Sequence, residues 1–368
     1  MPSLISSALP TKQTAIVAEG AGKLSLRHDA PVPTLGPNVA MVKTAAVAIN
    51  PVDAKMLDYS PVPGAIHGYD FAGTIVALGD GTPAYLKVGD RVAGTVHGMN
   101  PSLPDVGAFA EYVAAPGDLL LQIPDWMSFE EASSIGLSLF TAGLGLFQEL
   151  KVPSSTTEPY APRPDDEYDF GPEFVLVAGG ATATGTRAIQ LLKLAGLRPI
   201  ATCSPSNFEL VRSFGAEEVF DYHTADCAAE IKTYTRNTLA YAFDCVAMAD
   251  TMQLCYAAMG RAGGRYVTLE PFRHAIASTR PTIKPSWLLA LTIFGLKVNL
   301  EGEYKREASP EDRKFGETFT LEMQKLLNKG TLAIHPVQVR SGGWEGVLNG
   351  VDFIRKETMS GQKLVYSV

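Results

Sequence analysis

From Phe174 onward the chain alternates between short apolar runs and amphipathic stretches. The runs "FVLVAG", "RPIATC", "EEVFDY", "YAFDCVA" and "GRYVTLE" are separated by "GTRAIQLLKLAG", "SNFELVRSFGA", "AAEIKTYT" and "TMQLCYAAMG". Parallel strands need long crossovers, usually helical, and strands covered on both faces read as unbroken apolar runs. The pattern therefore predicts an α/β unit, a doubly wound parallel sheet with helices on both faces.

The first link of that alternation is "VLVAGGATATGTRAIQLLKLAG", residues 175–196. It has the grammar of a dinucleotide-binding βα unit, yet the G-x-G-x-x-G fingerprint is missing and Thr182, Ala183 and Thr184 fill the turn. Small residues let a backbone approach a pyrophosphate, and the helix that follows offers free N–H groups and a partial positive charge. Gly185 stands where a glycine permits close helix–strand packing, while Thr182 and Thr184 can add hydroxyl donors. Taken alone the motif reads equally as a tight turn of some other α/β fold. Its context, a strong strand before and a strong helix after, favours the nucleotide reading.

The second strand selects the cofactor. Enzymes that use NAD place an acid there for the ribose 2′-hydroxyl, and that acid repels a 2′-phosphate. Here "CSPSNF" supplies Ser204, Pro205, Ser206 and Asn207, with no acid before Glu209. Hydroxyl and amide donors at a helix start suit a phosphate, so NADPH is expected; the same residues also serve as an ordinary helix cap.

Before residue 129 the chain consists of short β-type runs cut by Pro and Gly, such as "TAIVAEG", "VAMVKTAAVAIN" and "VGDRVAGTV". That spacing predicts a mostly antiparallel, barrel-like domain. Ser128 with Glu131 three residues on is a capping-box pattern opening a helical stretch. Residues 151–172, polar and rich in proline, read as an inserted surface loop. The helices and strands after residue 316 are of the kind that could rejoin the first domain. The expected division is 1–135, 136–315 and 316–368.

At 368 residues the chain has room for two domains and their cores. Its net charge of −8 argues against a general affinity for nucleic acid or anionic membranes. The start, "MPSLISSALPTKQTAIV", lacks the basic and apolar segments of a secretory signal, and "SWLLALTIFGLKV" is too short to span a bilayer. A cytoplasmic protein is expected. Its four cysteines contain no close CxxC pair and read as apolar fillers, so no metal site is expected.

The order of "INPVDAK", "GYDFAGTIVALG", "VGDRVAG", "GAFAEYV" and "GAEEVFDY" resembles the medium-chain dehydrogenase/reductase superfamily. That resemblance implies a GroES-like β-barrel catalytic domain followed by a Rossmann domain. In the zinc branch a cysteine near "NPVD" and a histidine followed by glutamate at "GYDFAG" hold the metal; here Asn50, Tyr69 and Asp70 take those places. "INPVDAKM", "GGATAT", "PIATCSPSNFEL" and "MGRAGGRYVTLEPF" are similar to the trans-acting enoyl reductases of fungal polyketide synthases and hybrid synthase–peptide synthetases.

That family implies NADPH as cofactor, an acyl carrier protein as partner and a monomer. The sheet's expected last strand also runs into "EPFRHAIASTRPTIKP", whose charges and prolines disturb an edge-to-edge join. Lys55 is the candidate proton donor, or else the anchor of a cofactor ribose. Thr141 stands near the nicotinamide, to orient the ring or the substrate carbonyl. Val52, Asp53 and Ala54 flank Lys55 at the cofactor; Asp53 caps the short helix or holds the ammonium. The resemblance also implies that Tyr222 lies by the adenine or its phosphate, with simple packing as the alternative, that the backbone of Leu269 and Glu270 meets the carboxamide, and that Ser360 and Gly361 return to NADP. The implied acyl pocket comprises Ser138, Leu139, Phe140 and Thr141 with Thr292, Ile293, Phe294 and Gly295. Two other functions remain open: a free-standing quinone or enone reductase, and a catalytically silent cofactor-binding scaffold.

Overall fold

In a computed structural model the described residues are 9–161, 171–356 and 359–368. The first eight residues of the start and residues 162–170 of the expected surface loop lie outside them; 151–161 carry no helix or strand.

The first half builds the barrel-like unit. Strands β1 (Lys12–Gly20) and β2 (Lys23–Pro31) form an antiparallel hairpin. Strands β3 (Val39–Ala48), β4 (Asp70–Leu78), β5 (Arg91–Thr95), β6 (Tyr112–Pro116) and β7 (Leu121–Gln122) form the antiparallel body of a second sheet. Helix α1 (Pro51–Tyr59) leaves β3, its first turn fixed by Asp53, whose carboxylate accepts the Asn50 N–H at 2.6 Å. Helix α2 (Phe129–Ser133) opens on the expected capping box, with Ser128 and Glu131 each accepting the other's N–H. It leads into α3 (Gly136–Gly143) and a π-helical turn, Leu144–Glu149.

The second half is the parallel sheet: β8 (Phe174–Ala178), β9 (Arg198–Cys203), β10 (Glu218–Asp221), β11 (Tyr241–Asp244), β12 (Gly264–Thr268) and β13 (Ile283–Trp287). Its order is β10-β9-β8-β11-β12-β13, all parallel, the arrangement of a dinucleotide-binding fold. Helices α4 (Ala183–Leu194), α5 (Phe208–Ser213), α6 (Cys227–Tyr234) and α7 (Ala249–Ala258) are the crossovers, where the alternation places them. Before β13 comes the short α8 (His274–Ala277).

Strand β13 corrects the expected edge. The sheet does not end at "GRYVTLE"; "IKPSW" adds a sixth strand, which pattern reading misses because Lys284 and Pro285 interrupt it. On an edge a proline forfeits no ladder bond, so the strand forms regardless.

After α9 (Pro310–Asn328), within which the expected boundary at 316 falls, come β14 (Val337–Arg340), α10 (Gly343–Lys356) and β15 (Lys363–Ser367). β15 pairs antiparallel with β3, so the C-terminus does rejoin the first sheet. No helix among the described residues is long and apolar enough to cross a membrane.

Candidate active site

Between the two sheets lies a cleft of about 640 Å³. One end is the turn after β8. Thr182 caps α4: its hydroxyl accepts the Gly185 N–H at 2.9 Å and donates to the Gly179 carbonyl at 2.9 Å. Its single proton is thus committed, which corrects the expectation that it donates to phosphate. The Thr184 hydroxyl and the N–H groups of Ala183 and Thr184 are left for an anion, at the positive end of a 12-residue helix. Gly185 does the expected packing: a Cβ there would stand 2.3 Å from the Gly179 carbonyl oxygen.

One strand over, Ser204, Asn207 and Tyr222 line the cleft, the Ser204 and Tyr222 hydroxyls 3.2 Å apart. Pro205 and Ser206 lie behind them, off the wall. Asn207 donates from Nδ2 to Ser360 Oγ at 2.7 Å, which brings the C-terminal "SGQ" loop onto the nucleotide side. A Cβ on Gly361, whose φ is +67°, would come within 2.6 Å of Asn207 Oδ1. Among the described lining residues Glu270 is the sole carboxylate, and it belongs to the opposite end.

That opposite end is assembled from side chains. Lys55, on α1, meets Glu270 at 2.6 Å across the cleft, and Tyr304 donates its hydroxyl to the other Glu270 oxygen. Asp53 does not hold the ammonium; it is fully buried in its capping role, its carboxyl pushed well above the usual range by burial. Val52 and Leu269 line the wall and Ala54 packs beneath it. Thr141 and Ser138 also face the cleft, each giving its hydroxyl proton to its own helix, Thr141 to Leu137 at 2.7 Å. With its proton so directed, the Thr141 oxygen offers lone pairs to the cleft.

Two expected wall segments lie elsewhere. Leu139 and Phe140 are 1% exposed and point into the core between the sheets. Thr292, Ile293, Phe294 and Gly295 are also off the wall; the apolar face is made one turn earlier, by Leu288, Leu289, Ala290 and Leu291. Gly295 ends that turn at φ +68° with its α-carbon against Arg313.

Sequence reading missed a buried network beneath Lys55. The Lys363 ammonium donates to Asn50 Oδ1 at 2.7 Å and to Asp70 Oδ2 at 2.8 Å. Asn50 also donates to Asp70 at 3.0 Å, and Asp70 accepts the Leu137 N–H at 2.7 Å. Asp70 is fully buried and Lys363 is 5% exposed, so each charge needs the other. Asn50 and Asp70 occupy two of the places that serve the metal in the zinc branch. With an ammonium lodged between them, the residues present do not fit a zinc ion. Nearby, burial holds His67 and His97 down to about 4 and pushes Tyr69 up. Ala247 is held at φ +62° on the cleft wall by Asp244, which accepts its N–H and that of Val246.

Comparison with known proteins assigns the arrangement. Residues 36–125 match the alcohol dehydrogenase GroES-like domain and residues 183–306 the zinc-binding dehydrogenase domain. The chain is 70% identical to the trans-enoyl reductase caaB of Aspergillus niger over the full length of both. The chain belongs to the trans-enoyl reductase family. It is 68% identical, again over both full lengths, to the trans-enoyl reductase traG of Penicillium crustosum. The fold is shared with the CurK enoyl reductase, at a TM-score of 0.73 and 19% identity over 97% of this chain and 99% of that one. This enoyl reductase is thus a member of the medium-chain dehydrogenase/reductase superfamily, built to take a nicotinamide cofactor.

Proposed function

We propose that this enzyme uses NADPH to reduce the α,β-double bond of a polyketide thioester carried by a partner synthase's acyl carrier protein. The observation that carries the reading is a single cleft joining a phosphate turn at one end to Lys55 at the other. When bound, the nicotinamide supplies a hydride to the β-carbon.

The chain's own residues do the rest. Ala183 and Thr184 hold the pyrophosphate, while Ser204, Asn207 and Tyr222 suit a 2′-phosphate, no carboxylate being among the described residues that line that end. The Lys55 ammonium neutralises the charge that builds on the thioester oxygen and gives a proton to the α-carbon, regaining it from solvent. Thr141 accepts a hydrogen bond from the carboxamide, and the leucines at 288, 289 and 291 exclude water from the acyl chain. The domain division 1–135, 136–315 and 316–368, a monomeric state and a cytoplasmic location complete the proposal. Four free cysteines, three of them buried, accord with a reducing compartment.

Stopped-flow NADPH oxidation with pantetheine enoyl thioesters tests it. Lys55→Ala is expected to lose about 10²-fold in turnover. Unchanged turnover would remove Lys55 from the chemistry. Reduction of free quinones but not of thioesters would favour a free-standing reductase, and NADPH binding without any reduction a silent scaffold.

A further inference from the structure

Lys55 is a poor candidate for precise placement by packing. Its side chain is 46% exposed at the cleft wall, and a free lysine side chain has many rotamers to lose when fixed. The other carboxylates nearby are committed elsewhere, Asp53 to the Asn50 N–H and Asp70 to Lys363, Asn50 and the Leu137 N–H. Glu270 is different. It follows β12 on the parallel sheet, so its contact with Lys55 on α1 crosses from one half of the molecule to the other.

Glu270 is itself held. Its second oxygen receives the Tyr304 hydroxyl, and Tyr304 is 8% exposed, wedged between the rings of Tyr59 at 5.1 Å and Trp287 at 5.5 Å. A rigid, buried aromatic thus fixes one oxygen of a carboxylate whose other oxygen fixes the ammonium. Pro271, next in sequence, restricts the backbone at Glu270.

We propose that the Glu270 side chain, set by Tyr304, is the positioning residue for Lys55. Because one end sits on α1 and the other follows β12 of the parallel sheet, the ion pair makes the place of the ammonium depend on how the two halves meet at the cleft. This role is separate from the backbone contact with cofactor expected at Glu270, and it rests on Lys55 being the group that meets the substrate.

The test uses the full chain with Glu270→Gln, Tyr304→Phe, Lys55→Ala and the Glu270→Gln/Lys55→Ala pair. Turnover of a pantetheine enoyl thioester is expected to fall about tenfold in Glu270→Gln, with the KM for NADPH within about twofold. Tyr304→Phe is expected to fall less, in the same direction. Placed on Lys55→Ala, Glu270→Gln should add nothing. A loss of equal size with and without Lys55 would overturn the proposal and make Glu270 merely structural.

A second readout does not use activity. In the enzyme without cofactor, acylation of Lys55 by a water-soluble succinimidyl ester, followed by peptide mass spectrometry, should accelerate in Glu270→Gln. An unchanged rate would overturn the proposal. Accelerated labelling alongside full turnover in Lys55→Ala would uphold the positioning and defeat the catalytic reading of Lys55.

Discussion

The two ends of the cleft are made in opposite ways. The phosphate end comes from one contiguous turn, in which Thr182 and Gly185 close the cap on each other and Ala183 and Thr184 present their N–H groups and one hydroxyl. The reaction end sets Lys55 and Glu270 over Asn50, Asp70 and Lys363, whose side chains join across up to 313 positions of chain, with the Leu137 N–H donating to Asp70. The first is neutral and open to the cleft. The second is charged and rests on a buried ion pair, Asp70 with Lys363. A local backbone site loses its function by degrees when one group is removed, whereas a buried charge network fails as a unit.

The sharpest way to break that contrast is at Lys363. Lys363→Met leaves Asp70 buried without its cation and is expected to cost about 3–5 kcal/mol in chemical denaturation. Adding Asp70→Asn should restore part of the loss, because the stranded charge is gone. A single variant within 1 kcal/mol of wild type would mean the reaction end is no more cooperative than a surface ion pair.

Acid should strike the same end next. His67 and His97 are held near 4 by burial, against an ordinary value of 6.5. Between those pH values the unfolded chain binds protons that the native chain refuses, so stability falls as pH drops through the window. Each histidine contributes at most about 1.4 kcal/mol per pH unit. Asp53 acts in the other sense, since its raised value lets the native state take up a proton first, and offsets part of the loss. Thermal melts from pH 7 to 4 should show a falling Tm, and the fall should be shallower in His97→Gln.

At the phosphate end the effects are smaller and specific. Ser204→Asp places a carboxylate where the 2′-phosphate is expected and should raise the KM for NADPH about tenfold while sparing NADH. Equal effects on both would move the adenosine site elsewhere. Thr182→Ala removes the cap of α4 and should cost about 1 kcal/mol of stability. A larger loss in NADPH affinity than in stability would give its hydroxyl a direct part in binding after all.

Legibility in the sequence follows the same divide. The parallel sheet, its crossovers, the capping box at Ser128 and the packing role of Gly185 were readable because neighbours in sequence make them. The lack of an acid between Cys203 and Glu209 was readable too, but not that the next strand sets Asp221 opposite Cys203. The error at Thr292, Ile293, Phe294 and Gly295 was one of phase: an apolar turn presents only part of itself to a cleft, and here the part is 288–291. Leu139 and Phe140 mislead for the same reason, sitting on the face of α3 turned to the core. Strand β13 was hidden because an edge tolerates the lysine and proline that a central strand would not.

The sequence by itself determined the two kinds of sheet, the small-residue turn and the family, since each rests on periodicity, turn chemistry or ordered motifs, and the candidacy of Lys55 followed from the family resemblance. Only the tertiary structure decided what Lys55 faces and what lies beneath it. Glu270 is 215 positions from Lys55 in the chain and 2.6 Å away in the fold, and Lys363 reaches Asp70 from 293 positions off. No local pattern encodes such pairings. They arise because β15 closes against β3 and because the parallel sheet sets its strand ends opposite α1, placing charges together that must pair or stay in water.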